Sequence, residues 1–254
     1  MRNDTLNTLI LCHGDRMLQD AGWPPCVDMM QIAPETVPGW LAACGSLSGT
    51  QILTLTEQLC QPLTYGRAAL LLSSARRLAG TPARLHLFPV QAYPHPERLA
   101  GCQVIRLPYA QEWLTAAECD DLLAFLKASL AQIAEIVRRD TKRIAAALVP
   151  SAVPRLMDRR FGDWRLLADE YEHENWLDAG ETDRLDQVLD AVLVRSARFC
   201  PVLLRLVNER EENMEGAGVI TDLLRFPGDP VRHWLDRRVL RDVVREARGV
   251  NAQV

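Results

Sequence analysis

From Cys119 onward, apolar residues recur at spacings of three, four and seven: Leu122, Leu126, Leu130, Ile133, Val137, Ile144 and Leu148. Residues so spaced share one face only on a helix, so the stretch predicts an amphipathic helix to about Val149, about 50 Å long at ~1.5 Å per residue. Thr115-Ala-Ala-Glu118 provides a capping box at its start, where the threonine hydroxyl and the glutamate carboxylate satisfy each other's backbone amides. Pro150 and Pro154 end it. The rest of the chain must supply a surface for that apolar stripe.

The residues before this helix are of a different kind. Proline and glycine punctuate positions 24 to 96, which favours short elements joined by turns. Thr5 to Cys12 reads as a strand, and its run Leu9-Ile10-Leu11-Cys12 suits a parallel strand covered on both faces. Arg84 to Val90 and Cys102 to Leu107 read as further strands. Val37 to Cys44, Ile52 to Cys60 and Arg67 to Leu78 read as helices. Strands alternating with helices predict an α/β portion over residues 1–110. Residues 111–254 read as mainly helical. Leu185, Val188, Leu189, Val192 and Phe199 form a helical stripe, Pro201 either kinks that helix or starts a new one carrying Leu203, Leu204 and Val207, and Val219 to Phe226 is a short helix after a break at Gly216 and Gly218. A last helix is delimited by Asp229, Pro230 and Gly249, with Val231, Leu235, Val239 and Val243 inside. The expected fold is thus an α/β N-terminal portion followed by a mainly α-helical C-terminal portion, an α-rich mixed protein.

Composition narrows the class. With 48% hydrophobic and 24% charged residues, the 254-residue chain is neither disordered nor collagen-like. It has no run of the ~18–20 apolar residues that a membrane-spanning helix requires. No signal peptide is read at the N-terminus. A net charge of −4 excludes a generally basic, nucleic-acid-coating protein. Seven cysteines at irregular gaps, without a C-x-x-C pair, point to a reduced, cytoplasmic chain.

Motifs for chemistry are sparse. The phosphate-binding patterns G-x-x-x-x-G-K-[ST] and G-x-G-x-x-G and the nucleophile elbow G-x-S-x-G are all absent, so no cofactor is expected. Cys12-His13-Gly14-Asp15 sits where the first strand would end, an address at which α/β sheets collect ligands. There His13 is a candidate general base, Asp15 its orienting or metal-binding partner, and Gly14 a point of close approach. The plainer reading is a turn whose polar residues cap the next helix. Glu170, His173 and Glu174 form a single E-x-x-H cluster, a weak metal candidate because carboxylate-bridged sites use two. No metal is expected.

Charge is unevenly spread. Residues 137–165 carry a net +5, with Arg138, Arg139, Lys142, Arg143, Arg159 and Arg160 as a candidate basic patch for nucleic acid. Residues 166–190 carry −8, which would repel the same polymer and can pair with the basic block. Residues 1–64 hold only eight charges, which marks them as internal or covered by a partner. Trp23 and Trp40 are the candidate partner-binding anchors there, tryptophan being enriched at binding hot spots.

The sequence therefore predicts a non-catalytic cytoplasmic protein that binds another protein or itself, as an adaptor, assembly factor or regulator. The alternatives are a small α/β hydrolase-like enzyme with a site near His13 and Asp15, and nucleic-acid binding through residues 138–165.

Overall fold

The computed structural model describes residues 3–32, 40–89, 103–175, 177, 180–210 and 214–248. His95, Cys102, Trp176 and Gly249 lie outside the described residues. The chain divides into two compact units, residues 10–141 and residues 1–9 together with 142–254. Helices α1 (Asn3–Asp20) and α4 (Ala116–Leu148) each give residues to both.

The first unit holds β1 (Val27–Gln31), β2 (Leu41–Ser48), α2 (Gly49–Leu59), α3 (Tyr65–Leu78), β3 (Arg84–Pro89) and β4 (Gln103–Arg106). The strands form one sheet in the order β1-β2-β3-β4, every neighbour antiparallel. Ser48 starts α2 through a capping box with Gln51. Thr115 does the same for α4, its Oγ1 accepting from the Glu118 amide at 3.3 Å while Glu118 accepts the Thr115 amide at 2.9 Å. The α4 stripe is buried as its spacing predicts, with Leu122, Leu126, Leu130, Ile133, Val137 and Ile144 all inside.

Two N-terminal expectations fail. Thr5 to Cys12 is no strand but the interior of α1: Leu9 and Ile10 are buried there while Leu11 and Cys12 are half-buried, a helical rather than a two-sided pattern. The stretch read as a helix over Val37 to Cys44 is strand β2 in its described part, from Leu41. No parallel pair exists among the described strands: β2 and β3, though joined through α2 and α3, pair antiparallel like the others.

The larger correction concerns the C-terminal half, which is not mainly helical. It carries a second four-stranded antiparallel sheet, β5 (Arg155–Phe161), β6 (Trp164–Glu170), β7 (Val202–Asn208) and β8 (Met214–Ile220), in the order β5-β6-β7-β8. α5 (Thr182–Leu193) carries the predicted stripe from Leu185 to Val192, but Phe199 lies beyond its end, and Pro201 neither kinks nor starts a helix: it precedes strand β7. Leu203, Leu204 and Val207 were compatible with either period over so short a run. The last helix is broken into α6 (Val231–Trp234) and α7 (Arg237–Ala247), and the N-cap of α7 is Asp236, whose carboxylate accepts the Arg238 amide at 2.6 Å.

Gly216 and Gly218 are therefore strand residues, and their task is close packing. A Cβ on Gly216 would lie 2.3 Å from the Val243 carbonyl oxygen, and one on Gly218 2.8 Å from the Val239 and Val243 side chains. Their bare backbone lets α7 sit directly on β8. Val243 and Trp234 close the core formed with Met157, Leu166, Ala168, Val202, Leu204 and Ile220.

Candidate partner-binding groove

In the first unit a groove of about 460 Å³ opens between β1–β2 and α4. Met29, Ile32, Trp40 and Leu41 line one side, and Leu130, Ala131 and Ala134 the other. Lys127, Glu135 and Arg138 supply polar groups, and Arg138 is held by Glu135 at 2.6 and 2.8 Å. A volume of this size suits a small ligand or a few side chains of a partner. Trp40 is half-buried at its wall. Trp23 is buried, with Nε1 3.4 Å from Ser129 Oγ, and packs the core.

The sheet is unusual at this wall. β2 pairs with β3 only over Gly45 to Ser48. Extending that register places Ala43 opposite Pro89, which has no N–H to donate. The Gln103 carboxamide takes over both bonds, accepting the Ala43 amide at 2.6 Å and donating to its carbonyl at 3.1 Å. A side chain thus stands in for a peptide group beside the groove.

The residues of the Cys12–Asp15 cluster have structural roles on α1. Asp15 accepts the Met29 amide at 2.7 Å, on the outer side of edge strand β1. Val27 donates outward to the Pro24 carbonyl at 3.0 Å, so both amides are satisfied internally, which blunts the edge against pairing with another chain. Burial raises the Asp15 pKa above its ordinary value, and the Met29 amide opposes this. What approaches Gly14 is not a ligand but Leu41 and Met29, whose side-chain atoms would lie 2.9 and 3.0 Å from a Cβ there. His13 Nε2 lies 3.2 Å from Asp140 Oδ2 on α4, and both side chains are buried. Burial lowers the His13 pKa despite that carboxylate. None of His13, Asp15 and Asp140 lines the groove.

The basic segment is largely neutralised within the chain. Arg139 lies 3.5 Å from Asp140, Arg143 donates to the Leu193 carbonyl at 2.6 Å, and Arg160 pairs with Glu209. Arg155 and Arg165 meet Asp158, while Lys142 and Arg159 are exposed. The E-x-x-H residues also diverge. Glu170 is buried and accepts from Arg225, Arg198 and the Ser151 amide. Burial works against its charge, but these donors outweigh it and bring its pKa down to about 2. His173 and Glu174 are exposed, and no group of three or more His, Cys, Asp or Glu able to hold a metal occurs among the described residues. No helix among them is long and apolar enough to cross a membrane.

Ala131, Ala134 and Gln103 were not legible as site residues. The alanines broaden the apolar arc of α4 beyond Leu130 and Ile133, the one signal that could have located the second wall. Residues 3–144 match the model of the N-terminal domain of YubG, and residues 154–253 match that of its C-terminal domain. No solved structure matches the chain.

Proposed function

The chain belongs to the YubG family, and from that premise we propose that it is a non-catalytic cytoplasmic protein that binds another protein through the groove of its first unit, as an adaptor, assembly factor or regulator. The observation that carries this reading is the apolar groove itself, bounded by Trp40 and Leu41 on one side and by Leu130, Ala131 and Ala134 on the other. Exposed apolar concavities with an aromatic at the wall are where partners anchor. The poverty of charge in residues 1–64 supports it, since these residues furnish one wall. Cytoplasmic placement rests on the cysteines, six of which are free among the described residues.

Affinity capture from the native host with wild-type, Trp40→Ala and Ala131→Arg chains tests the proposal. One protein should be retained by the wild type and lost by both variants, each still folded. Recovery of the same set by all three would refute it.

A further inference from the structure

The outward face of α7 differs from the other charged surfaces of the second unit. Arg237, Arg241, Arg245 and Arg248 follow at steps of four, four and three, and Arg238 lies beside them. All five are exposed and point away from the side that carries Val239 and Val243. They make an arginine stripe about 17 Å long at ~1.5 Å per residue.

The carboxylates of this helix are already engaged. Asp236 accepts the Arg238 amide, Glu246 accepts the Ala217 amide at 2.9 Å, and Asp242 lies 3.4 Å from Arg245. Arg237, Arg238, Arg241 and Arg248 have no ion pair among the described residues. On the neighbouring sheet, by contrast, Arg155, Arg160, Arg165 and Arg205 each meet a carboxylate. Two of the unpaired arginines also occupy the first turn of α7, where the helix dipole disfavours cations and where no acidic residue is present. The N-cap Asp236 carboxylate already answers the dipole, and an anion laid along the stripe would answer the remaining charge.

We propose that the arginine face of α7 docks an acidic polypeptide segment, with carboxylates repeated at about one helical turn. Guanidinium groups bind carboxylates through paired, charge-assisted hydrogen bonds. A single-stranded nucleic acid is the poorer match, since α7 carries no aromatic residue for base stacking. This surface does not rest on the groove of the first unit.

The test is fluorescence anisotropy on the full chain with a labelled Glu-rich peptide and a single-stranded oligonucleotide of equal charge. The peptide should bind at low salt, weaken at least about tenfold at high salt as screening requires, and outcompete the oligonucleotide. The triple variant Arg237→Glu/Arg241→Glu/Arg248→Glu should lose at least about tenfold in peptide affinity, and the milder Arg→Gln triple should lose binding too. Reversing Arg67 and Arg76 on α3 should leave binding unchanged. Absence of peptide binding, equal binding by the triple variants, or tighter binding of the oligonucleotide would overturn the proposal. So would salt-sensitive self-association of the wild type without peptide binding, which would assign the stripe to a second copy.

Discussion

The two sheets have the same strand order and antiparallel pairing, yet they treat the helix that follows them differently. In the second unit, Gly216 and Gly218 remove the side chains that would hold α7 off, and the helix closes on β8 at backbone distance. In the first unit, Met29 and Leu41 stand on the sheet wall facing α4, and a groove of about 460 Å³ remains. One edge of each sheet is handled alike, a helix carboxylate accepting an edge-strand amide: Asp15 that of Met29 on β1, and Glu246 that of Ala217 on β8. The first sheet differs inside, where Gln103 serves Ala43 of β2 because Pro89 cannot. Bare backbone at two strand positions thus goes with a sealed sheet in one unit, and bulky side chains at the wall go with a concave face in the other.

The largest effect should come from the sealed unit. Glu170→Ala leaves Arg225 buried without its carboxylate, and chemical denaturation should show a loss of about 3–5 kcal/mol. A loss below about 1 kcal/mol, the range of exposed pairs, would mean that the cluster is effectively solvated. Gly218→Val should cost about 1–3 kcal/mol by forcing α7 from β8. An enlargement that faces the groove, Ala134→Leu, should stay within about 0.5 kcal/mol because it meets open space. Equal costs for these two substitutions would erase the comparison.

Acid should separate the units more finely. His13 has a folded-state pKa below its ordinary 6.5, so the unfolded chain binds its proton first. Its contribution is therefore complete above about pH 6.5 and is lost as pH falls through the lowered value. Glu170 also titrates low, at about 2, against an ordinary 4.5. Its stabilisation is complete above about 4.5 and is lost on approach to 2. Stability measured against pH should lose its slope just below pH 6.5 in His13→Gln and its slope below 4.5 in Glu170→Gln. An unchanged curve in either variant would show that the group is not linked to folding.

Much of the helical frame was legible because its signals are local and repeat. The capping box at Thr115, the α4 stripe and the Leu185–Val192 face each involve several residues agreeing on one period. The second sheet was hidden for the opposite reason. β5 is largely exposed and charged, so Arg155 to Phe161 reads as a basic segment, and β7 is a short, mostly apolar stretch interrupted by Arg205 that fits either period. Gly216 and Gly218 read as a break because glycine marks turns and close packing alike. The groove depended on long-range facts. That Pro89 falls opposite Ala43, and that Gln103 reaches Ala43 from 60 residues away, cannot be inferred from the local sequence.

A titration of the folded chain with a hydrophobic fluorescent dye, comparing wild type with Ala134→Trp, tests the open groove most directly. The wild type should bind the dye saturably at one site while fully folded, and the filled variant should bind at least about tenfold more weakly with its unfolding midpoint preserved. Equal dye binding by the two proteins, or none by the wild type, would contradict an open apolar groove in the first unit.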